Sequence, residues 1–222
     1  MKKLKFLALV CFLAVFTACS SDDDNNNDND GPAGMNSFTY NGKTYQLSSG
    51  IIEKEDEGDY SDDGSTEFYL SLTTSELSED EDGELYTSDD EFSIISFNLF
   101  SKETGDIEPG VYHFNDDYNI EFTFDDGIAL LDVEVDWDEV DPGIIDLDDP
   151  NVSWGAILGI DSGEIEVHES GSTYDIDFEF TMINNKKIKG NYTGSLEFYD
   201  DNNTGKPAKT NSLLKNFQKV FN

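Results

Sequence analysis

The sequence predicts a single all-β domain built as an antiparallel meander, and three observations carry that expectation. From Phe38 onward apolar and polar residues alternate, which is the period of a half-buried strand. Turn-forming pairs such as Pro109-Gly110, Asp126-Gly127 and Ser170-Gly171 punctuate the runs. Aromatic residues make up 13% of the chain, enough to build a core although 49 acidic residues stand against 13 basic ones.

Phe68, Leu70 and Leu72 alternate with Glu67, Tyr69 and Ser71 as one strand. Between Phe92 and Leu99 the apolar phase slips, from Phe92 and Ile94 to Ile95, Phe97 and Leu99, which calls for a bulge or a strand buried on both faces. Pro109-Gly110 reads as the turn before a strand over Val111 to Phe114. Next, Tyr118, Ile120, Phe122 and Phe124 lead through Asp126-Gly127 into Leu131, Val133, Val135 and Trp137. That pattern predicts a hairpin, because both turn positions must accept positive φ.

The last third predicts a three-stranded meander with inward rows Ile165 and Val167, then Tyr174, Ile176, Phe178, Phe180 and Met182, then Ile188, Tyr192, Leu196 and Phe198. Gly190 and Gly194 fall on the inward side of the third strand, where a missing side chain lets a sheet coil. The expected architecture is therefore a curled β-sandwich or a barrel, a calycin-like barrel included. If Ser170-Gly171 is a two-residue turn, Glu166 falls opposite Asp175 and Glu164 opposite Asp177 on the outer face. Like charges in that position destabilise a sheet. A calcium ion, which takes about six to eight oxygen ligands, would offset the cost at Glu164, Glu166, Asp175 and Asp177. The same ion has loop candidates in Asp56, Glu57, Asp59, Asp62 and Asp63, or in Asp146, Asp148 and Asp149. The plainer reading is a set of solvated surface charges screened by salt.

Composition closes several chemical routes. The two cysteines, Cys11 and Cys19, both precede the domain, so its body offers no disulfide, thiolate metal site or cysteine nucleophile. His113 and His168 are too few for a three-histidine zinc site. No Gly-x-Ser-x-Gly elbow, phosphate-binding glycine loop or His-Glu-x-x-His pair occurs. The negative charge repels nucleic acid phosphates. Two classes stay open: a binding module with Tyr60, Tyr69, Tyr86, Trp137, Trp154 and Tyr199 as candidate ligand-stacking rings, and a glycan-active hydrolase using two carboxylates about 5 to 10 Å apart.

The ends of the chain differ from its body. Lys2, Lys3 and Lys5 precede an apolar run from Phe6 to Phe16, and small Thr17 and Ala18 lead to Cys19 and the acidic Ser20, Ser21, Asp22, Asp23 and Asp24. Eleven apolar residues are too few to span a bilayer, which takes about 20. The segment resembles a bacterial lipoprotein signal, with Phe16 where leucine is usual, and the residues after Cys19 resemble the surface-export signal of Bacteroidota lipoproteins. The resemblance implies cleavage before Cys19, a lipid on that residue and a position on the outer surface of the outer membrane. The mature chain would then carry ten basic and 49 acidic residues, a net formal charge of −39. The short strands and the Gly190, Tyr192, Gly194 spacing are similar to small β-rich lipoproteins of that phylum with no assigned function, a likeness that carries over no catalytic residue.

Residues 1–18 thus read as a signal peptide, 19–36 as a disordered acidic tether, 37–205 as the β domain and 206–222 as a basic helix. In the last of these Leu213, Leu214, Phe217, Val220 and Phe221 form one helical stripe, among lysines 206, 209, 215 and 219 and no acid. The expected function is an extracellular binding or adhesion module for a glycan, a protein or a divalent cation. The alternative is the glycan-active hydrolase.

Overall fold

The structure, a computed structural model, describes residues 35–54, 62–79, 85–102, 105–139 and 149–200. Cys19, the export residues after it, Tyr60 and the 206–222 segment lie outside the described residues, as do Asp56, Glu57, Asp59, Asp146 and Asp148. Among the described residues there are strands and no helix. They are β1 (Ser37–Tyr40), β2 (Lys43–Gln46), β3 (Ser49–Lys54), β4 (Thr66–Thr73), β5 (Ser78–Glu79), β6 (Leu85–Tyr86) and β7 (Glu91–Ser101). The second half supplies β8 (Gly110–Phe114), β9 (Thr123–Val135), β10 (Val152–Glu169), β11 (Tyr174–Met182), β12 (Lys187–Gly194) and β13 (Glu197–Asp200).

Eleven of these form one sheet in the order β13, β3, β4, β7, β9, β8, β10, β11, β12, β1, β2, while β5 and β6 make a separate ribbon. The two ends of that order are joined by the chain itself. Leu47 donates its N–H to the Asn36 carbonyl, and the next residue, Ser48, donates to the Thr73 carbonyl on the other side. Because successive backbone groups of an extended strand point to opposite sides, the stretch from β2 to β3 is one strand that pairs with β1 first and β4 afterwards. The sheet therefore curls onto itself as a barrel-like shell.

The expected purely antiparallel meander is corrected in two places, since β13 pairs with β3, and β8 with β9, in parallel. The first exception follows from the shortness of β1, which lies between β12 and β2. Past the start of β1 nothing separates its two neighbours, which run the same way, so the continuation of β12 into β13 closes directly on β3. Phe198 belongs to this β13 and is 40% exposed, so it leaves the inward row in which the sequence set it.

The inside of the shell is filled by rings. Phe97 packs edge-on against Phe124 and Phe180 at 6.1 and 5.6 Å, Phe178 stacks on Phe180 at 5.3 Å, and Phe38 stacks on Tyr45 at 4.7 Å. Leu70, Ile165, Ile176 and Ile188 complete the cluster, each fully buried. Such filling is how small barrels reach native packing density. The predicted inward rows of the last third are buried from Ile165 through Tyr192, and Leu196 with them.

β7 carries both features that its slipped phase demanded. Its register breaks between Phe92 and Ile94 and again between Ser96 and Asn98. Ile95, Phe97 and Leu99 face the shell interior, while Phe92 and Ile94 join Ile128, Leu130, Val133, Val135 and Val152 in a second cluster. The Asp126-Gly127 hairpin is not formed. β9 runs straight through these residues, which bulge opposite Phe97 with Asp126 at φ 45°. Gly127 is needed for contact rather than for a turn, because a Cβ there would lie 2.2 Å from Ile160 Cδ1. Tyr118 and Ile120 fall in the preceding connection and are exposed.

Gly190 is the tightest test of the curl, since an added Cβ would meet the Phe178 ring, Phe38 Cβ and the Ser37 carbonyl, each at 2.6 Å. Gly190→Ala is expected to lower unfolding free energy by about 1–3 kcal/mol in urea titration. Gly105→Ala, with nothing within 4 Å, is the control and should leave the midpoint in place.

Candidate functional site

The acidic patch on β10 and β11 exists, but in a different register from the one predicted. The connection is longer than two residues and His168 bulges, so Glu166 faces Asp177, Glu169 faces Asp175 and Glu164 faces Glu179. The extra residue is what resolves the repulsion. His168 sits between two carboxylates, Nε2 3.1 Å from Asp177 and Nδ1 3.6 Å from Glu166. The hydrogen bond to Asp177, with the charge of Glu166, raises its pKa against a small opposing desolvation. His113 Nδ1 lies 3.3 Å from Glu164, and Thr193 donates to Asp175 at 3.0 Å. Lys187 and Lys189 hold Glu179 and lower its pKa. Among the described residues no group of three or more His, Cys, Asp or Glu is arranged to hold a metal ion.

The described loop acids serve the backbone. Asp62 accepts from the N–H of Asn119 and Asp63 from those of Ser65 and Glu121, pinning the connection before β9. Asp149 caps the turn at Asn151.

The open concave surface lies elsewhere, where the start of β7, the end of β9 and the start of β10 meet. It is a cleft of about 770 Å³ around Trp137, with Asp90, Glu91, Glu134, Asp136 and Asp138 among its walls and Pro150, Asn151 and Ser153 on the far side. Local chemistry builds it. Val135 N–H donates to the Asp90 carbonyl and Asp136 N–H to that of Asn151, which fixes both walls. The Trp137 indole N–H donates to the Asp89 carbonyl at 3.0 Å, and its ring packs on the second apolar cluster. Thus the ring is held rigid at the cleft, without a rotamer to freeze when a ligand arrives.

Glu91 and Glu134 are direct cross-strand partners, and Ser153 Oγ reaches Glu134 at 3.4 Å. None of the five carboxylates forms an ion pair among the described residues. Acceptors ringed around an indole suit a ligand rich in hydroxyl donors, or a cation. Of the predicted aromatics whose side chains are described, Trp137 lines this cleft, whereas Trp154 is 40% exposed opposite Val133 outside the lining and Tyr69 sits within β4. The carboxylates were legible in part, since Glu134, Asp136 and Asp138 alternate with Val133, Val135 and Trp137 and so share one face. Glu91 was not, because only the β7–β9 register brings it there.

A second polar feature crosses the outer face of the sheet. Glu53, Tyr69, Asn98 and Asp125 are successive register partners on β3, β4, β7 and β9. Glu53 is 4% exposed and Asn98 5%. The Asn98 amide donates to Glu67 at 3.0 Å. Asp125 has one carboxyl oxygen enclosed with no hydrogen bond among the described residues. Burial, and then the charge of Asp126, push its pKa up to about 7 against a hydrogen bond from Asn98.

No family model, curated protein or solved structure matches this chain.

Asp125 and His168 both contribute stability in acid that is lost as pH rises. Asp125 is raised, so its contribution is complete below its ordinary pKa of 3.8 and is lost as pH climbs through about 7. Asp125→Asn should therefore flatten the fall in melting temperature between pH 4 and about 8 while matching the unmodified chain at acid pH. His168 is also raised, so the increment it adds is present below its ordinary 6.5 and fades above. His168→Gln should cost little stability, all of it at pH 5 to 6 and none at about pH 9, by thermal melts across that range.

Proposed function

We propose that this chain is a lipid-anchored lipoprotein of the outer membrane, exposed on the surface of a Bacteroidota-type cell, and that its β domain binds a glycan without catalysing a reaction on it. The single observation that carries the binding reading is the Trp137 cleft: an immobilised indole face ringed by carboxylate acceptors, on a shell whose interior is already filled. Sugar rings stack their C–H faces on such an indole, and their hydroxyls donate to carboxylates. Net negative charge removes nucleic acid and anionic lipid heads from the candidate ligands and favours neutral or basic saccharides. The anchoring half rests on Cys19 and the acidic residues behind it.

The hydrolase reading is favoured by one observation, the Glu91 and Glu134 pair. Directly opposed residues have Cβ atoms about 5 Å apart, compatible with the short carboxylate spacing of retaining glycosidases. New reducing ends from a soluble glycan, lost in Glu134→Gln, would establish it; retention of the glycan uncut supports binding alone.

Trp137→Ala is expected to weaken retention on immobilised glycans at least tenfold, read by affinity electrophoresis across plant, algal and host polysaccharides, with Trp154→Ala unchanged. Cys19→Ser should move the protein from the membrane fraction into the soluble one and abolish incorporation of labelled fatty acid.

A further inference from the structure

We propose that the ligand of the Trp137 cleft is a saccharide carrying free amino groups, an oligomer of amino sugars with one ammonium per ring, rather than a neutral or N-acetylated glycan. This rests on the glycan reading of the cleft and narrows it through the hydrogen-bonding character of the walls.

The lining is rich in acceptors and poor in donors. Asp90, Glu91, Glu134, Asp136 and Asp138 supply carboxylates, none of them in an ion pair among the described residues. The donors beside them are committed within the protein. Val135 N–H goes to the Asp90 carbonyl, Asp136 N–H to that of Asn151, and Asp138 N–H to the Asp136 carboxylate. Asn151 N–H goes to Asp149, and the Ser153 hydroxyl turns to Glu134. Trp137 has given its indole N–H to the Asp89 carbonyl, so what the ring has left is its π face. A sugar hydroxyl donates and accepts at once, and along these walls its lone pairs find few partners. An N-acetyl group adds a carbonyl that meets further carboxylates. An ammonium has donors and no acceptor, the complement of such a wall, and the negative face of an indole attracts it.

The lysine whose charge reaches the cleft does not fill this role. The Asp132 hydrogen bond, and in lesser part the charge of Glu91, raise the pKa of Lys43. Its ammonium is nevertheless held 2.6 Å from Asp132, and Lys43 is not part of the lining. The carboxylates are also spread along the walls rather than gathered, since among the described residues no three acids converge on a metal position. Separated acceptors suit the separated charges of an amino-sugar chain better than one compact cation. Each exposed ion pair adds little by itself, so selectivity comes from several rings bound at once. A cleft of about 770 Å³ has room for such a short oligomer.

Isothermal titration of the full chain with the hexamer of glucosamine and with the hexamer of N-acetylglucosamine tests this, at mildly acidic pH where amines and carboxylates are both charged. The free-amine hexamer is expected to bind at least tenfold tighter, with an advantage that shrinks as salt is added. Trp137→Ala should weaken its binding at least tenfold, and the Glu91→Gln, Glu134→Gln double variant should remove most of the advantage. The Asp116→Asn, Asp117→Asn double variant takes the same charge from the connection before β9, at the other end of that strand, and should keep it. Equal or tighter binding of the acetylated hexamer, itself lost in Trp137→Ala, overturns the amino-sugar proposal and leaves the glycan reading standing. An advantage that falls equally in both double variants also overturns it, because the attraction is then diffuse. If neither hexamer binds, the proposal falls; if no polysaccharide is retained either, the glycan reading falls with it.

Discussion

Closure of the sheet depends on two adjacent amides. The N–H groups of Leu47 and Ser48 point to opposite sides of one extended strand, the first to Asn36 and the second to Thr73. That alternation, a property of any strand, makes a linear order of strands into a shell with an inside. Everything else follows from having an inside. Rings from β1, β4, β7, β9 and β11 can meet only because the sheet curls, and they fill the space that a larger barrel would leave for a ligand. Room for a ligand is thereby left to rims and outer faces, where the two polar features of this molecule are found.

Legibility in the sequence followed the range of the interaction. Period-two alternation is local, and it located the strands and nearly all of the inward rows from Phe68 to Tyr192. Asp126-Gly127 misled because a pair able to adopt positive φ serves a bulge as well as a turn, and the choice was made by Ile160, more than thirty residues away. The hairpin at Ser170-Gly171 slipped because one bulged histidine changes which carboxylates face one another while leaving them on the same side. The cleft was half legible: its β9 acids announce a common face, but their β7 partner is found only through pairing. The row from Glu53 to Asp125 was not legible at all, since its members come from four strands and none is unusual within its own.

Charge in this molecule is arranged more economically than its total suggests. The few basic groups go where strands would otherwise force acids together, as at Glu179 with its two lysines, at Asp177 with His168, and at Asp132, where Lys43 and the Tyr45 hydroxyl converge. Acids with room to face water, as in the cleft, are left to do so. Local neutralisation of the sheet and a strongly negative exterior are therefore compatible, and the exterior keeps its long-range repulsion of polyanions.

Asn36 carries a mechanical consequence. Its backbone N–H donates to Asn191, its side-chain amide donates to the Thr193 carbonyl and accepts from the Thr193 N–H, and its own carbonyl receives Leu47. Tension entering the domain from the N-terminal side through Met35 arrives first at this residue, and it is spread at once over β2 and β12, the strands on either side of β1. Four bonds loaded together resist far better than the same bonds opened one after another. The shell is thus reinforced at the point where the chain enters it, as a fitting is welded where the cable is attached.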